Sequence, residues 1–133
     1  MTSQNIIPSE ERIFPIYDDY GDLDQYVREL VWEVGSYQLI IRYFSEDEND
    51  FSNGDHHVRI KNNSKFKVDL VSMRNDFISK QNTEHGESIY TGVSVFMFSN
   101  LAETPEELEE LSEVLKDAAK AQRVFADILK ERF

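Results

Sequence analysis

Cysteine is absent from this chain, which removes disulfides, zinc–thiolate sites and thiol nucleophiles from consideration. A reducing cytoplasm is the compartment this absence predicts. Glycine and proline are sparse, five and three in 133 residues, and no Gly/Ser-rich or proline-rich linker divides the sequence. The glycines are scattered, so neither a G-x-x-x-x-G-K-[ST] phosphate loop nor a G-x-G-x-x-G turn occurs. No serine stands in a G-x-S-x-G frame, and H-E-x-x-H is missing. These absences predict a protein that is not an enzyme and carries no cofactor and no metal. Long apolar runs are missing too: nothing approaches the roughly 20 residues of a membrane span. The opening MTSQNIIPSEER has neither the basic start nor the apolar core of a signal peptide.

Basic residues are also in short supply. Fourteen Lys and Arg face 26 Asp and Glu, for a net charge of −12. Such a surface repels nucleic acid and anionic membrane and suits a basic protein partner. The charge is patterned. Residues 1–26 are net −5, residues 45–55 (SEDENDFSNGD) another −5, and residues 103–133 net −4. Residues 56–73 go the other way at net +3, through Arg59, Lys61, Lys65 and Lys67 against Asp69. Alternation assigns these bases to the wet face of a hairpin rather than to a nucleic-acid surface.

What is present is enough for a core: 40% apolar and 12% aromatic residues, in a length that suits one domain. Pro8 and Pro15 predict an irregular N-terminal arm over residues 1–21 that packs back on the domain, which spans 22–133. Leu23, Tyr26, Val27, Leu30, Val31 and Val34 recur at i, i+3, i+4, i+7, with Asp22 placed to cap and Gly35 to terminate. This spacing predicts a helix over 23–34; the competing reading is a strand with Leu30, Trp32 and Val34 on one face. Strands are predicted at 37–44, 57–61, 65–73 and 88–98, with a polar loop at 74–87 holding one helical turn near Asp76–Ser79. Thr104, Pro105 and Glu107 mark a helix start, and apolar residues stepping by three and four carry that helix to 132. The expected class is α+β: two layers, a mostly antiparallel sheet of about four strands, and two helices.

Three readings of SEDENDFSNGD compete. A calcium loop of EF-hand type fails in both registers, since Asp47 puts Phe51 at position 5 and Glu48 puts Asn53 at the glycine position. A solvated hairpin tip fits Asn53–Gly54. A recognition loop would present Glu46, Asp47, Glu48, Asp50 and Asp55 around Phe51 as an anchor. Glu106, Glu107, Glu109 and Glu110 extend the same partner-binding set. His56 and His57, being adjacent on a strand, point to opposite faces and do not chelate. Leu108, Leu111, Leu115, Phe125 and Leu129 form a stripe that could serve as a homodimer face.

The function this predicts is a non-enzymatic acidic interaction module. In its sharper form it inhibits or regulates a nucleic-acid-handling protein by offering carboxylates in place of phosphates, as small phage or mobile-element proteins do. Two alternatives stand beside it. In size, acidity and layout the chain resembles type III secretion chaperones, which implies a dimer; it departs in having one strand, not two, after residue 74. A small ligand-binding or catalytic domain would line its pocket with Trp32, Tyr37, Tyr43, Tyr90 and Phe96.

Overall fold

The computed structural model describes residues 7–52, 54–75, 90–97 and 102–133. Six strands precede one helix: β1 (Glu10–Tyr17), β2 (Leu23–Val34), β3 (Tyr37–Ser45), β4 (His56–Asn62), β5 (Val68–Asn75), β6 (Tyr90–Met97) and α1 (Pro105–Arg132). Strands β1 to β4 form an antiparallel sheet in chain order, and β5 pairs antiparallel with β6. The class is α+β, but the four-stranded sheet is not built from the four strands that the sequence predicts. The predicted turn at Asp76–Ser79 lies outside the described residues.

The N-terminal half corrects two expectations. Residues 23–34 are a twelve-residue strand, not a helix. The i, i+3, i+4 pattern arose because β2 is apolar on both faces: Leu30, Trp32 and Val34 face one way, Val27 and Val31 the other, and all five are buried. A strand buried on both sides fits helical spacing as well as its own period of two. Residues 10–17 are not an irregular arm but the edge strand β1, in register with β2 from Glu10↔Val31 to Ile16↔Gln25. Pro15 is tolerated there because an edge strand can spare a ladder hydrogen bond. Gly35, read as a helix stop, instead turns the β2–β3 hairpin at φ +58, a left-handed conformation that favours glycine. A Cβ at this position would also run into the Asp117 carboxylate on α1.

Helix α1 begins as its sequence dictates. The Thr104 side chain accepts from the Glu107 amide at 3.1 Å, with Pro105 in the first turn. Its C-terminal half buries Ala118, Ala121, Phe125, Ile128 and Leu129 against Leu30, Trp32, Tyr37, Leu39 and Ile41 of the larger sheet and Phe66, Val68, Leu70 and Val93 of the smaller segment. Each large side chain so buried contributes about 1.5–3 kcal/mol. Polar links fasten the layers: the Tyr37 hydroxyl donates to the Val68 carbonyl, and Gln122 Nε2 donates to the Val93 carbonyl at 2.9 Å. Burial, and then the nearby Asp69 and Asp117, push the Tyr37 pKa up to about 12.

Among the described residues no helix covers the other face of the four-stranded sheet. Cross-strand register lines up Arg12, Glu29, Arg42 and His57 across all four strands. Arg12 Nε and Arg42 Nε donate to the two oxygens of Glu29 at 2.9 and 2.7 Å. Burial alone would raise the Glu29 pKa, but the two arginine hydrogen bonds and their charges outweigh it and hold the carboxyl below its ordinary value. Glu29 is thus a charged clasp joining β1, β2 and β3.

Candidate functional site

An antiparallel meander returns alternate connections to the same end of a sheet. The β1–β2 turn (residues 18–22) and the β3–β4 loop (residues 46–55) therefore emerge side by side, and the pairing of Tyr26 with Ser45 fixes their adjacency. Asp18, Asp19 and Asp22 come from the first, with Asp24 beside them at the start of β2; Glu46, Asp47, Glu48, Asp50 and Asp55 come from the second. Nine carboxylates share this end, and neither stretch contains a Lys or Arg. An open hollow of about 400 Å³ lies at the base of the β3–β4 loop, lined by Phe44, Ser45, Glu46, Asp47, Asp50, Gly54 and Asp55, with Gln25 of β2 on its flank.

Three of the carboxylates shape the backbone. Asp18 Oδ1 accepts from the amides of Tyr20 and Asp22 at 2.9 and 3.0 Å. Asp47 Oδ1 accepts from the Asn49 amide at 2.9 Å. Asp50 Oδ1 accepts from the Ser52 hydroxyl at 2.6 Å and from its amide at 3.0 Å, which lowers the Asp50 pKa. The Ser45 hydroxyl closes the loop by donating to the Asp50 carbonyl at 2.5 Å. Gly54 fits beneath Phe44, where any Cβ would strike the Phe44 carbonyl. The tips are thus built turns, and the carboxylates of Asp19, Asp22, Asp24, Glu46, Glu48 and Asp55 engage no other side chain among the described residues. Beside them stand exposed apolar groups: Tyr20 at 91%, Tyr17 at 63% and Leu23 at 48% exposure. Phe51 is half-buried within its loop.

The structure divides the predicted partner-binding set. Glu46, Asp47, Glu48, Asp50, Phe51 and Asp55 lie at the two-tip end. Glu106, Glu107, Glu109 and Glu110 lie at the far end of α1: its C-terminal Phe133 stacks with Tyr43 and His56 below the β3–β4 loop, whereas Glu110 pairs with Lys65 at 2.8 Å beside the β4–β5 turn. The helix runs a further 22 residues from Glu110 to Arg132, roughly 33 Å, between the groups. Sequence reasoning missed Asp18, Asp19, Asp22, Asp24, Tyr17 and Tyr20. The net charge of residues 1–26 signalled them, but assigning the adjoining residues to a helix concealed the hairpin that carries them to the loop.

Other candidates are placed as follows. His56 faces Tyr43 and Phe133 while His57 is exposed on the opposite face. Among the described residues no group of three or more His, Asp or Glu converges to hold a metal ion. Arg59 and Lys61 are exposed on β4, and Lys65 and Lys67 in the connector after it. Trp32 and Tyr37 are buried in the core; the side chains of Tyr90 and Phe96 lie outside the description. Phe125 and Leu129 are wholly buried in the chain's own core, whereas Leu108 and Leu115 are exposed. No helix among the described residues is long and apolar enough to cross a membrane. No protein-family model, curated protein or solved structure matches the chain.

Proposed function

We propose that this protein is a non-enzymatic interaction module that captures a basic protein surface with its two-tip acidic end. The observation that carries the reading is the pairing of nine carboxylates with exposed Tyr17, Tyr20 and Leu23 on two structured turns and the strand ends beside them, in stretches free of Lys and Arg. Unpaired like charges crowded together destabilise a fold, so their concentration at one end calls for a counter-charge from outside. Tyrosine and leucine give that encounter an apolar anchor, and carboxylates give it speed and orientation.

In its finer form the partner is a nucleic-acid-handling protein. Its cationic groove would accept the carboxylates in place of phosphates, and the module would act as an inhibitor or regulator in the cytoplasm. The acids at the start of α1 do not belong to this surface, being at the other end of the helix.

The test compares capture from lysate by the natural chain and by a variant carrying Asp19→Asn, Asp22→Asn, Asp24→Asn, Glu46→Gln and Glu48→Gln. None of these five side chains supports a turn. A stoichiometric basic protein that the natural chain retains, moderate salt releases and the variant fails to hold supports the reading. Equal capture by both chains overturns it.

A further inference from the structure

On the flank of α1, between its buried side and its solvent side, Leu108 and Leu115 are 57% and 36% exposed. Ser112 and Ala119, also exposed, continue the same line one turn on from each. The Ser112 hydroxyl donates to the Leu108 carbonyl at 3.0 Å, so covering this line would bury no unsatisfied hydroxyl. The stripe alternates large, small, large, small. Its charges are segregated along the axis: residues 103–113 hold six Glu and no base, whereas Lys116, Lys120 and Arg123 follow within residues 114–123 against the single acid Asp117.

We infer that this flank is the docking surface for a second copy of the chain, with the two α1 helices antiparallel. A parallel pair would lay six carboxylates against six. An antiparallel pair lays the acidic half of each helix along the basic half of the other. With the two-fold axis passing between residues 113 and 114, Leu108 meets Ala119 and Leu115 meets Ser112, each twice, so large side chains fill spaces left by small ones. In this register Glu109 comes beside Lys116 of the second copy, again twice, on the solvent side of the seam. Among the described residues of its own chain Lys116 pairs with the exposed Glu113 at 3.2 Å, a weak competitor. The two-tip acidic end takes no part, so the dimer leaves it open on both copies.

Sedimentation equilibrium of the full chain, from micromolar to millimolar concentration at low and physiological salt, is the test. The natural chain is expected to dimerise, and Leu108→Glu with Leu115→Glu to abolish dimerisation with an unchanged circular dichroism spectrum. Glu109→Lys alone, and Lys116→Glu alone, each create two repulsive contacts and weaken the dimer about tenfold. The double exchange restores both contacts and the affinity. A natural chain monomeric throughout, a dimer indifferent to the Leu108 and Leu115 substitutions, or a double exchange that fails to recover would each overturn the inference.

Discussion

Glu29→Gln isolates the charged clasp across the sheet. The Glu29 side chain is 7% exposed, whereas Arg12 and Arg42 are 61% and 43% exposed. Breaking a fully buried ion pair at one partner costs about 3–5 kcal/mol, and losing an exposed pair about 0.2–1 kcal/mol. Here the group removed is buried but the partners can turn to water, so the cost falls between, at about 1.5 kcal/mol. For a chain of this size that corresponds to about 6 °C in Tm. The pH dependence gives a second reading. The folded-state pKa of Glu29 lies below its ordinary 4.5, so its stabilisation is complete above that value and is lost as pH falls through the folded pKa. The gap between the natural chain and the variant should be full at neutral pH and shrink below pH 4.5. Trp32, buried and the only tryptophan, reports urea unfolding directly. An unchanged midpoint at neutral pH, or a gap that persists in acid, would refute the reasoning.

Three further outcomes follow from the same geometry. Phe125→Ala empties the centre of the α1 interface, where the ring is fully buried, and should cost about 3–5 kcal/mol by urea denaturation. Gly35→Ala combines a left-handed backbone with a collision against Asp117; a loss of at least about 1–2 kcal/mol is expected by thermal unfolding. Tyr37 disfavours its own ionisation in the fold, so its contribution is intact below pH 10.0 and lost as pH rises through about 12. Tyr37→Phe should remove that alkaline step while costing stability at neutral pH through the lost bond to Val68, both measured by denaturation across the range.

The C-terminal helix was legible because its signals agree: a threonine cap, proline in the first turn, acids at the start and an apolar stripe all mark the same boundaries. Strands β3 and β4 were legible from alternation and turn chemistry. Strand β2 was legible only as the competing reading, because Leu30, Val31 and Trp32 are consecutive buried residues, and Val27 and Val31 interrupt the polar face that Glu29 and Glu33 would otherwise mark. That one assignment hid β1, which has no local signal of its own and is held by register with β2. It also hid half of the candidate site. The acids of residues 46–55 were visible as a run, but Asp18, Asp19, Asp22 and Asp24 become part of the same surface only when β2 is a strand and the hairpin returns them to it. The acids of α1 read as part of the set because charge carries no information about which end of a fold it occupies.

The most direct test of the two-tip site is an amide chemical-shift titration of the labelled protein with a nona-arginine peptide at physiological salt. The peptide stands in for a basic partner and can choose among every acidic patch on the chain. The account predicts saturable shifts centred on residues 17–25 and 45–55, with residues 103–113 of the helix region unmoved at the same peptide concentration. Shifts centred on that helical segment, or spread evenly over all exposed acids, would contradict it.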